Sequence, residues 1–187
     1  LEFPVKTRHD WDVIKPRFDP AVAQRYPADW EQRVRGWRRD RPILRQYSMV
    51  ANRYGGPSLF GFARMLLGEE RVLYAFYDEP EMVHDMMETA TEFAIAVLSR
   101  ALREAPVTLA QFWEDMCYRQ GPLISPALFR EFMLPRYRRI TEAIRAAGVD
   151  IIFAGQPPLL TQGLSLNALD EGERRKAIDE CKRSADQ

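Results

Sequence analysis

Apolar residues recur along the chain with a helical period in some segments and as short unbroken runs in others. The clearest helical pattern begins at Met82 and ends near Ala101, with apolar residues at steps of three and four and charged residues on the other face. This pattern predicts a long amphipathic helix with one buried stripe. The methionines in or near the stripe indicate core packing in preference to an adaptable binding surface. They are Met65, Met82, Met86 and Met87.

Three apolar runs predict strands at residues 42–50, 107–113 and 149–153. Their apolar residues do not alternate with polar ones, which is typical of parallel strands that helices cover on both faces. Helical patterns separate the runs, so the order predicts an α/β fold with right-handed crossovers. Either an open doubly wound sheet or a piece of a (β/α) barrel fits this order. No glycine-rich phosphate loop follows a strand, so the nucleotide-binding form of the open sheet lacks its main signature.

Serine, proline and glycine mark the predicted ends of the other helices. A helix over residues 58–67 ends at Gly68. A later helical pattern begins at Ser125, breaks at Pro135 and ends at Gly148. Its second half is predicted to pack through Tyr137, Ile140, Ile144 and Ala147, and to leave Arg136, Arg138, Arg139 and Arg145 in solvent.

Composition is that of a globular domain without a strong net charge. Of the 187 residues 46% are hydrophobic, and 27 Lys and Arg residues balance 27 Asp and Glu residues. Nothing in this balance draws the chain to nucleic acid or to an anionic membrane. We expect a single domain over 1–187, with an irregular and helical segment at 1–40, βα units at 41–154, and a loop and terminal helix at 155–187. Arginines at 33–41 indicate a solvated helix face first and an anion-binding face second.

The cysteines match no metal-binding or redox spacing, because Cys117 and Cys181 lie far apart in sequence. The sequence shows neither a signal peptide nor an apolar run long enough to span a bilayer. These features together favour a cytoplasmic protein with no membrane segment.

Three segments carry a family resemblance through their order and spacing. Residues 61–70 read GFARMLLGEE and are followed by YDEPE at 77–81, residues 113–116 read WEDM, and residues 123–137 read LISPALFREFMLPRY. Together they resemble the uroporphyrinogen decarboxylase superfamily, which includes corrinoid-linked methyltransferases. The resemblance implies a TIM-type (β/α)8 barrel whose site lies at the carboxyl ends of its strands.

The chain also departs from that family pattern. A complete barrel needs eight strands and typically about 250 residues, so we expect an incomplete barrel and a homo-oligomer. The arginine-bearing first turn that binds acidic substrates in the family has no match. Residues 154–156 read AGQ where metal-dependent methyltransferases carry His-x-Cys, so we expect no metal. A predicted helix at 167–180 is similar to one found later in family members, which indicates either an internal deletion or an unrelated surface helix.

The resemblance implies a small-molecule substrate, either a tetrapyrrole or a corrinoid. The leading function is decarboxylation of a tetrapyrrole carboxylate, which needs no cofactor, or methyl transfer in the corrinoid-linked branch. The alternative belongs to another class: a catalytically incomplete barrel fragment that acts only through self-association or partner binding.

Candidate site residues follow the ends of two predicted strands, because strand ends open onto the shared rim of a barrel. Glu114 and Asp115 are the catalytic candidates, since a carboxylate there can act as a general acid or base. The alternative is a carboxylate that only accepts hydrogen bonds from backbone N–H groups. The substrate-binding candidates are polar residues that also fit a solvated surface: Asn52, Arg53, Tyr54 and Tyr118.

Overall fold

The computed structural model describes residues 2–22, 25–40, 46–48, 58–105, 109–111, 114, 116–118, 121–151 and 170–185. The chain divides into two compact units, Leu1–Ile151 and Ile152–Gln187. The division of a single domain into the segments 1–40, 41–154 and 155–187 stays a prediction.

Helices make up most of the described part of the first unit. They are α1 (Arg8–Ile14), α2 (Trp30–Asp40), α3 (Leu59–Leu67), α4 (Glu69–Asp78), α5 (Pro80–Glu104), α6 (Pro126–Leu128) and α7 (Leu134–Ala146). A 3₁₀ turn, Lys15–Phe18, follows α1, and a π-helical segment, Phe129–Met133, links α6 to α7. In the second unit α8 covers Glu171–Ala185, and the Asp170 carboxylate accepts from the Glu173 amide at its start (2.9 Å).

Short strands form a parallel sheet of the kind the apolar runs predict. β1 (Gln46–Ser48), β2 (Leu109–Gln111) and β5 (Asp150–Ile151) lie side by side in that order, and both pairs are parallel. Within the described residues the predicted strands are confirmed in their order and parallel direction, and the rest of the predicted runs, at 42–45, 49–50, 107–108, 112–113 and 152–153, lies outside them. An antiparallel pair that was not predicted, β3 (Cys117–Tyr118) and β4 (Gly121–Pro122), follows β2. Closure of the sheet into a barrel stays a prediction.

The core of the first unit is built around α5, which packs against α3, α4 and α7. Its buried face is the predicted apolar stripe, with Met82, Met86 and Met87 each at most 2% exposed. Met65 is the exception to the predicted methionine packing, since its side chain is 52% exposed. The reason is helical phase: α3 turns Leu59, Phe60, Ala63 and Leu67 inward, and Met65 lies on the opposite face. None of the described helices combines the length and apolarity that crossing a bilayer requires.

A new helix, α7, begins beside Pro135 as predicted, but the helical segment before it runs into α7 without an intervening loop. The backbone changes to π-helical turns over Phe129–Met133, and the Leu134 amide donates to the Phe129 carbonyl five residues earlier. Pro135 then occupies the first turn of α7, where its missing N–H and fixed φ cost little. The π segment keeps Phe132 in the core, 1% exposed and packed edge-on against Phe76.

Two residues, one in α7 and one just after it, differ from their predicted exposure. Arg136 was expected in solvent, but its side chain is only 12% exposed. Its guanidinium donates to Glu88 (3.1 Å) and to the carbonyls of Phe132 (2.7 Å) and His84 (3.1 Å). Ala147 was expected to pack but is exposed, because α7 ends at Ala146 and Gly148 turns the chain away with φ +73°.

The N-terminal segment docks on α5 through one acidic residue. Trp11 of α1 is fully buried, and its Nε1 donates to Asp85 (2.9 Å). Lys15 (2.6 Å) and Arg8 (3.0 Å) form ion pairs with the same carboxylate. Partial burial raises the pKa of Asp85, but the bonds from Lys15 and Trp11 and the two positive charges outweigh it and hold the pKa below its usual value.

α2 docks on the opposite end of α5. Trp30 and Val34 pack against Ala101 and Ala105. Glu104 completes the contact, because its side chain accepts from Trp30 Nε1 (2.5 Å) and its carbonyl accepts from Arg38 (2.7 Å).

Candidate active site

The described part of the candidate site is centred on Glu114, just beyond the end of β2. β2 is the middle strand of the sheet and pairs in parallel with both β1 and β5. Its carboxyl end therefore points the same way as theirs. The Glu114 carboxylate meets the first turn of α3. Strand end and helix start are thereby joined by one side chain.

Backbone amides at the start of α3 are the first partners of this carboxylate. The amides of Leu59 and Phe60 donate to Glu114 Oε1, at 2.6 and 3.2 Å. The first amides of a helix have no acceptor within the helix itself, and the helix dipole is positive at this end. Glu114 therefore satisfies two such amides and places a negative charge where the dipole favours it.

Ser58 ties the same carboxylate to the N-cap of α3. Its hydroxyl donates to Glu114 Oε2 (2.5 Å) and accepts from the Gly61 amide (2.7 Å). A Cβ at residue 61 would lie 2.2 Å from Ser58 Oγ. Glycine at this position therefore makes room for the capping serine.

Tyr137 brings α7 to the cluster. Its hydroxyl donates to Glu114 Oε1 in a short hydrogen bond and accepts from the Leu59 amide (3.2 Å). We name Ser58, Glu114 and Tyr137, with the amides of Leu59 and Phe60, the Glu114 cluster. It joins three parts of the first unit that are far apart in sequence: the end of β2, the start of α3 and the first turns of α7.

Burial sets the protonation of both acidic groups. Desolvation raises the pKa of Glu114 above its usual value, and the bonds from Ser58, Tyr137, Phe60 and Leu59 only partly oppose that rise. The pKa of the Tyr137 phenol is raised well above its usual value by desolvation and by the neighbouring Glu114 charge. Tyr137 is therefore a neutral donor throughout the physiological range, and Glu114 keeps its proton to a higher pH than an exposed glutamate does.

The chemical capacity of the cluster follows from these contacts. A carboxyl group with a raised pKa at a strand end has the property that general acids need. Both oxygens of Glu114 already accept hydrogen bonds from the chain, two from backbone amides and two from side-chain hydroxyls. The arrangement fixes the start of α3 against the strand end, and proton transfer by Glu114 stays a prediction.

The structure describes little of the other candidate site residues. Asn52, Arg53, Tyr54 and Asp115 lie outside the described residues. Tyr118 lies in β3, where the structure describes the backbone and not the side chain. Among the described residues, no three His, Cys, Asp or Glu side chains come together as a metal-binding group.

Sequence reasoning missed the partners of Glu114. The sequence does contain a signal for the role of Ser58, because a serine directly before an apolar helical run is a typical N-cap. Tyr137 was expected to pack, and it carried no signal for a hydrogen bond to a carboxylate 23 residues away.

Comparison with known proteins supports the resemblance seen in the sequence. The family model described as Uroporphyrinogen decarboxylase matches residues 54–160. The chain is 29% identical to the uroporphyrinogen decarboxylase of Anaeromyxobacter sp. (strain Fw109-5), over 97% of the chain and 51% of that relative. It is 37% identical to that of Thermus thermophilus, over 54% of the chain and 26% of that relative.

The chain thus spans about half the length of the Anaeromyxobacter protein and a smaller share of the Thermus one. No solved structure matches at a significant level. The family match covers the described strands β2 and β5, the helices α3 to α7 and every residue of the Glu114 cluster. On this ground, the chain belongs to the uroporphyrinogen decarboxylase family.

Proposed function

We propose that the chain acts as a uroporphyrinogen-decarboxylase-like protein and removes CO₂ from a carboxylate side chain of a tetrapyrrole. One observation carries this proposal: the family match spans residues 54–160 and includes a carboxylate fixed at the end of the middle strand. In this proposal the parallel sheet is part of a (β/α)8 TIM-type barrel that the chain does not complete. The site lies at the carboxyl ends of the strands, as in other barrels of this type.

The proposed reaction needs no cofactor. The bond between the side-chain carbon and its carboxylate breaks, CO₂ leaves, and a proton takes its place on that carbon. Asp115 is the proposed proton donor at the rim, and Glu114 holds the start of α3 through its backbone amides. The substrate-binding role is proposed for Asn52, Arg53, Tyr54 and Tyr118, with Arg53 pairing to a second substrate carboxylate in a bidentate contact.

Two other functions remain as proposals of lower rank. Methyl transfer to a corrinoid or a thiol follows from the related branch of the superfamily. The alternative from another class is a catalytically incomplete barrel fragment that acts only through self-association or partner binding. A cytoplasmic location and a homo-oligomeric state belong to the proposal as well.

Release of CO₂ from uroporphyrinogen by the purified full chain tests the proposal. We expect the wild-type chain to release CO₂. Asp115→Asn should lower the rate by roughly 10²–10⁴-fold, the usual effect of losing a positioned acid. Glu142→Gln is the matched control, because Glu142 is an exposed residue of α7 and its loss should leave turnover unchanged. A wild-type chain without turnover would overturn the decarboxylase proposal and favour the incomplete fragment.

A further inference from the structure

The outward side of α4 carries two exposed aromatic rings. Tyr74 and Tyr77 are 61% and 69% exposed, although the same helix buries Val72, Ala75 and Phe76. The two rings lie on one face because they are three residues apart. No residue of the Glu114 cluster belongs to α4, so the candidate active site does not account for these rings.

Carboxylates flank the rings on the same helix. Glu70 lies one turn before Tyr74 and Asp78 lies one turn after it, so both share its face, and Glu69 begins the helix beside them. In the part of the chain that the structure describes, none of these three carboxylates forms an ion pair. We name Glu69, Glu70, Tyr74, Tyr77 and Asp78 the acidic–aromatic face.

A cleft of about 530 Å³ opens beside this face, within the size range of ligand pockets in proteins. Phe3 is one wall of the cleft, and its ring packs so closely on Gly68 that a Cβ there would lie 2.6 Å from a ring carbon. Among the described residues that line the cleft, Arg71 is the only cation, and it already pairs with Glu79 (2.6 Å). The cleft therefore combines the rings of Phe3 and Tyr74 with a net negative charge.

We propose that the acidic–aromatic face and its cleft bind an arginine-rich segment of another protein. Charge complementarity identifies the partner, because carboxylates without a counter-ion attract cations and repel the phosphates of nucleic acids and anionic lipids. The tyrosines favour arginine over lysine. A guanidinium stacks on an aromatic ring and binds a carboxylate through two parallel hydrogen bonds, whereas an ammonium is a compact, strongly hydrated charge. Tyrosine and arginine are also both enriched in protein–protein interfaces.

A hexa-arginine peptide is the probe for this face, and hexalysine is the comparison of equal charge. Isothermal titration calorimetry with the full chain measures the affinity of both peptides at low and at high salt. We expect hexa-arginine to bind one to one and roughly fivefold more tightly than hexalysine, because stacking on the tyrosines adds to the charge attraction. Its affinity should fall as salt screens the exposed carboxylates.

Two double variants separate the charges from the rings. Glu70→Gln with Asp78→Asn removes two carboxylates and keeps their shape, and it should weaken hexa-arginine binding by about tenfold. Tyr74→Leu with Tyr77→Leu leaves the net charge unchanged and removes both rings. It should also weaken hexa-arginine by about tenfold and bind the two peptides equally. Circular dichroism verifies that each variant is folded.

The control, Glu142→Gln with Glu171→Gln, removes the same charge from exposed positions of α7 and α8 and should bind as the wild type does. Four results would overturn the proposal: a wild type that does not bind hexa-arginine, equal affinity of the wild type for both peptides, variants that bind as the wild type does, or a control that loses as much affinity as the charge variant. Sedimentation velocity covers a different occupant. A mass that falls in both variants and not in the control would place a second copy on this face and would also overturn the proposal.

Discussion

Replacing Tyr137 by phenylalanine removes one hydroxyl from the Glu114 cluster and nothing else. In the wild type this hydroxyl donates to Glu114 Oε1 and accepts from the Leu59 amide. A hydrogen bond to a charged group contributes about 1.5–3 kcal/mol, and one between neutral groups about half of that. Leu59 still donates to Glu114 in the variant (2.6 Å), so we expect a loss of about 2 kcal/mol in the free energy of unfolding when Glu114 is ionised.

The pH dependence gives this prediction its sign. Because the folded-state pKa of Glu114 is raised, its stabilising contribution is complete below the unfolded pKa and is lost as pH rises through the folded pKa. The Tyr137 hydroxyl opposes that loss, since its hydrogen bond lowers the Glu114 pKa. Tyr137→Phe should therefore cost more near pH 8, up to about 2 kcal/mol, than near pH 4, where the carboxyl is largely protonated.

Urea unfolding of both proteins at the two pH values is the assay. In thermal melts near pH 8 the same loss corresponds to a fall in Tm of roughly 4–8 °C for a chain of this size. Tyr77→Phe is the matched control, because its ring is 69% exposed and the same atom is removed. A loss below about 0.5 kcal/mol near pH 8, the size of an ordinary surface effect, or an equal loss at both pH values would refute the reasoning.

Three further predictions concern the N-terminal segment, the rim and metal binding. Asp85→Asn should lower the free energy of unfolding by about 1–2 kcal/mol near neutral pH. Because the Asp85 pKa is held low, the difference in stability between wild type and variant should disappear as pH falls through that pKa. A difference that stays constant with pH in urea unfolding would contradict this prediction. Asp115→Asn should change stability by about 0.5 kcal/mol or less while impairing ligand handling, and a mutant that unfolds would instead make Asp115 a structural cap. Purified protein should contain no zinc. A zinc content near one ion per chain, measured by elemental analysis, would disprove this.

The secondary structure was largely predictable because its signals are short-range. Three apolar runs predicted the strands of the parallel sheet, and steps of three and four predicted α5. Arg136 shows the limit of assigning burial from polarity. It lies on the same stripe as Ile140 and Ile144, at steps of four, and its side chain is largely buried because Glu88 and backbone carbonyls accept hydrogen bonds from its guanidinium.

The candidate site was predictable only in part, for a different physical reason. A charged residue directly after an apolar strand identified Glu114 as a strand-end carboxylate. Its partners come from tertiary packing, since Ser58 and Tyr137 are 56 and 23 residues away in sequence. A single sequence contains no periodic signal for such contacts, so the cluster became visible only in the folded chain.

The central claim is that Glu114 holds the first turn of α3 against the end of β2. Amide hydrogen exchange, followed by NMR, tests it most directly, because the first amides of a helix have no acceptor in the helix and ordinarily exchange fast. We predict slow exchange at Leu59 and Phe60 in the wild type and fast exchange in Glu114→Ala. The first amides of α4, which receives no side-chain cap, serve as the fast-exchanging reference in the same molecule. Exchange at Leu59 and Phe60 as fast as in α4, in the wild type, would contradict the claim.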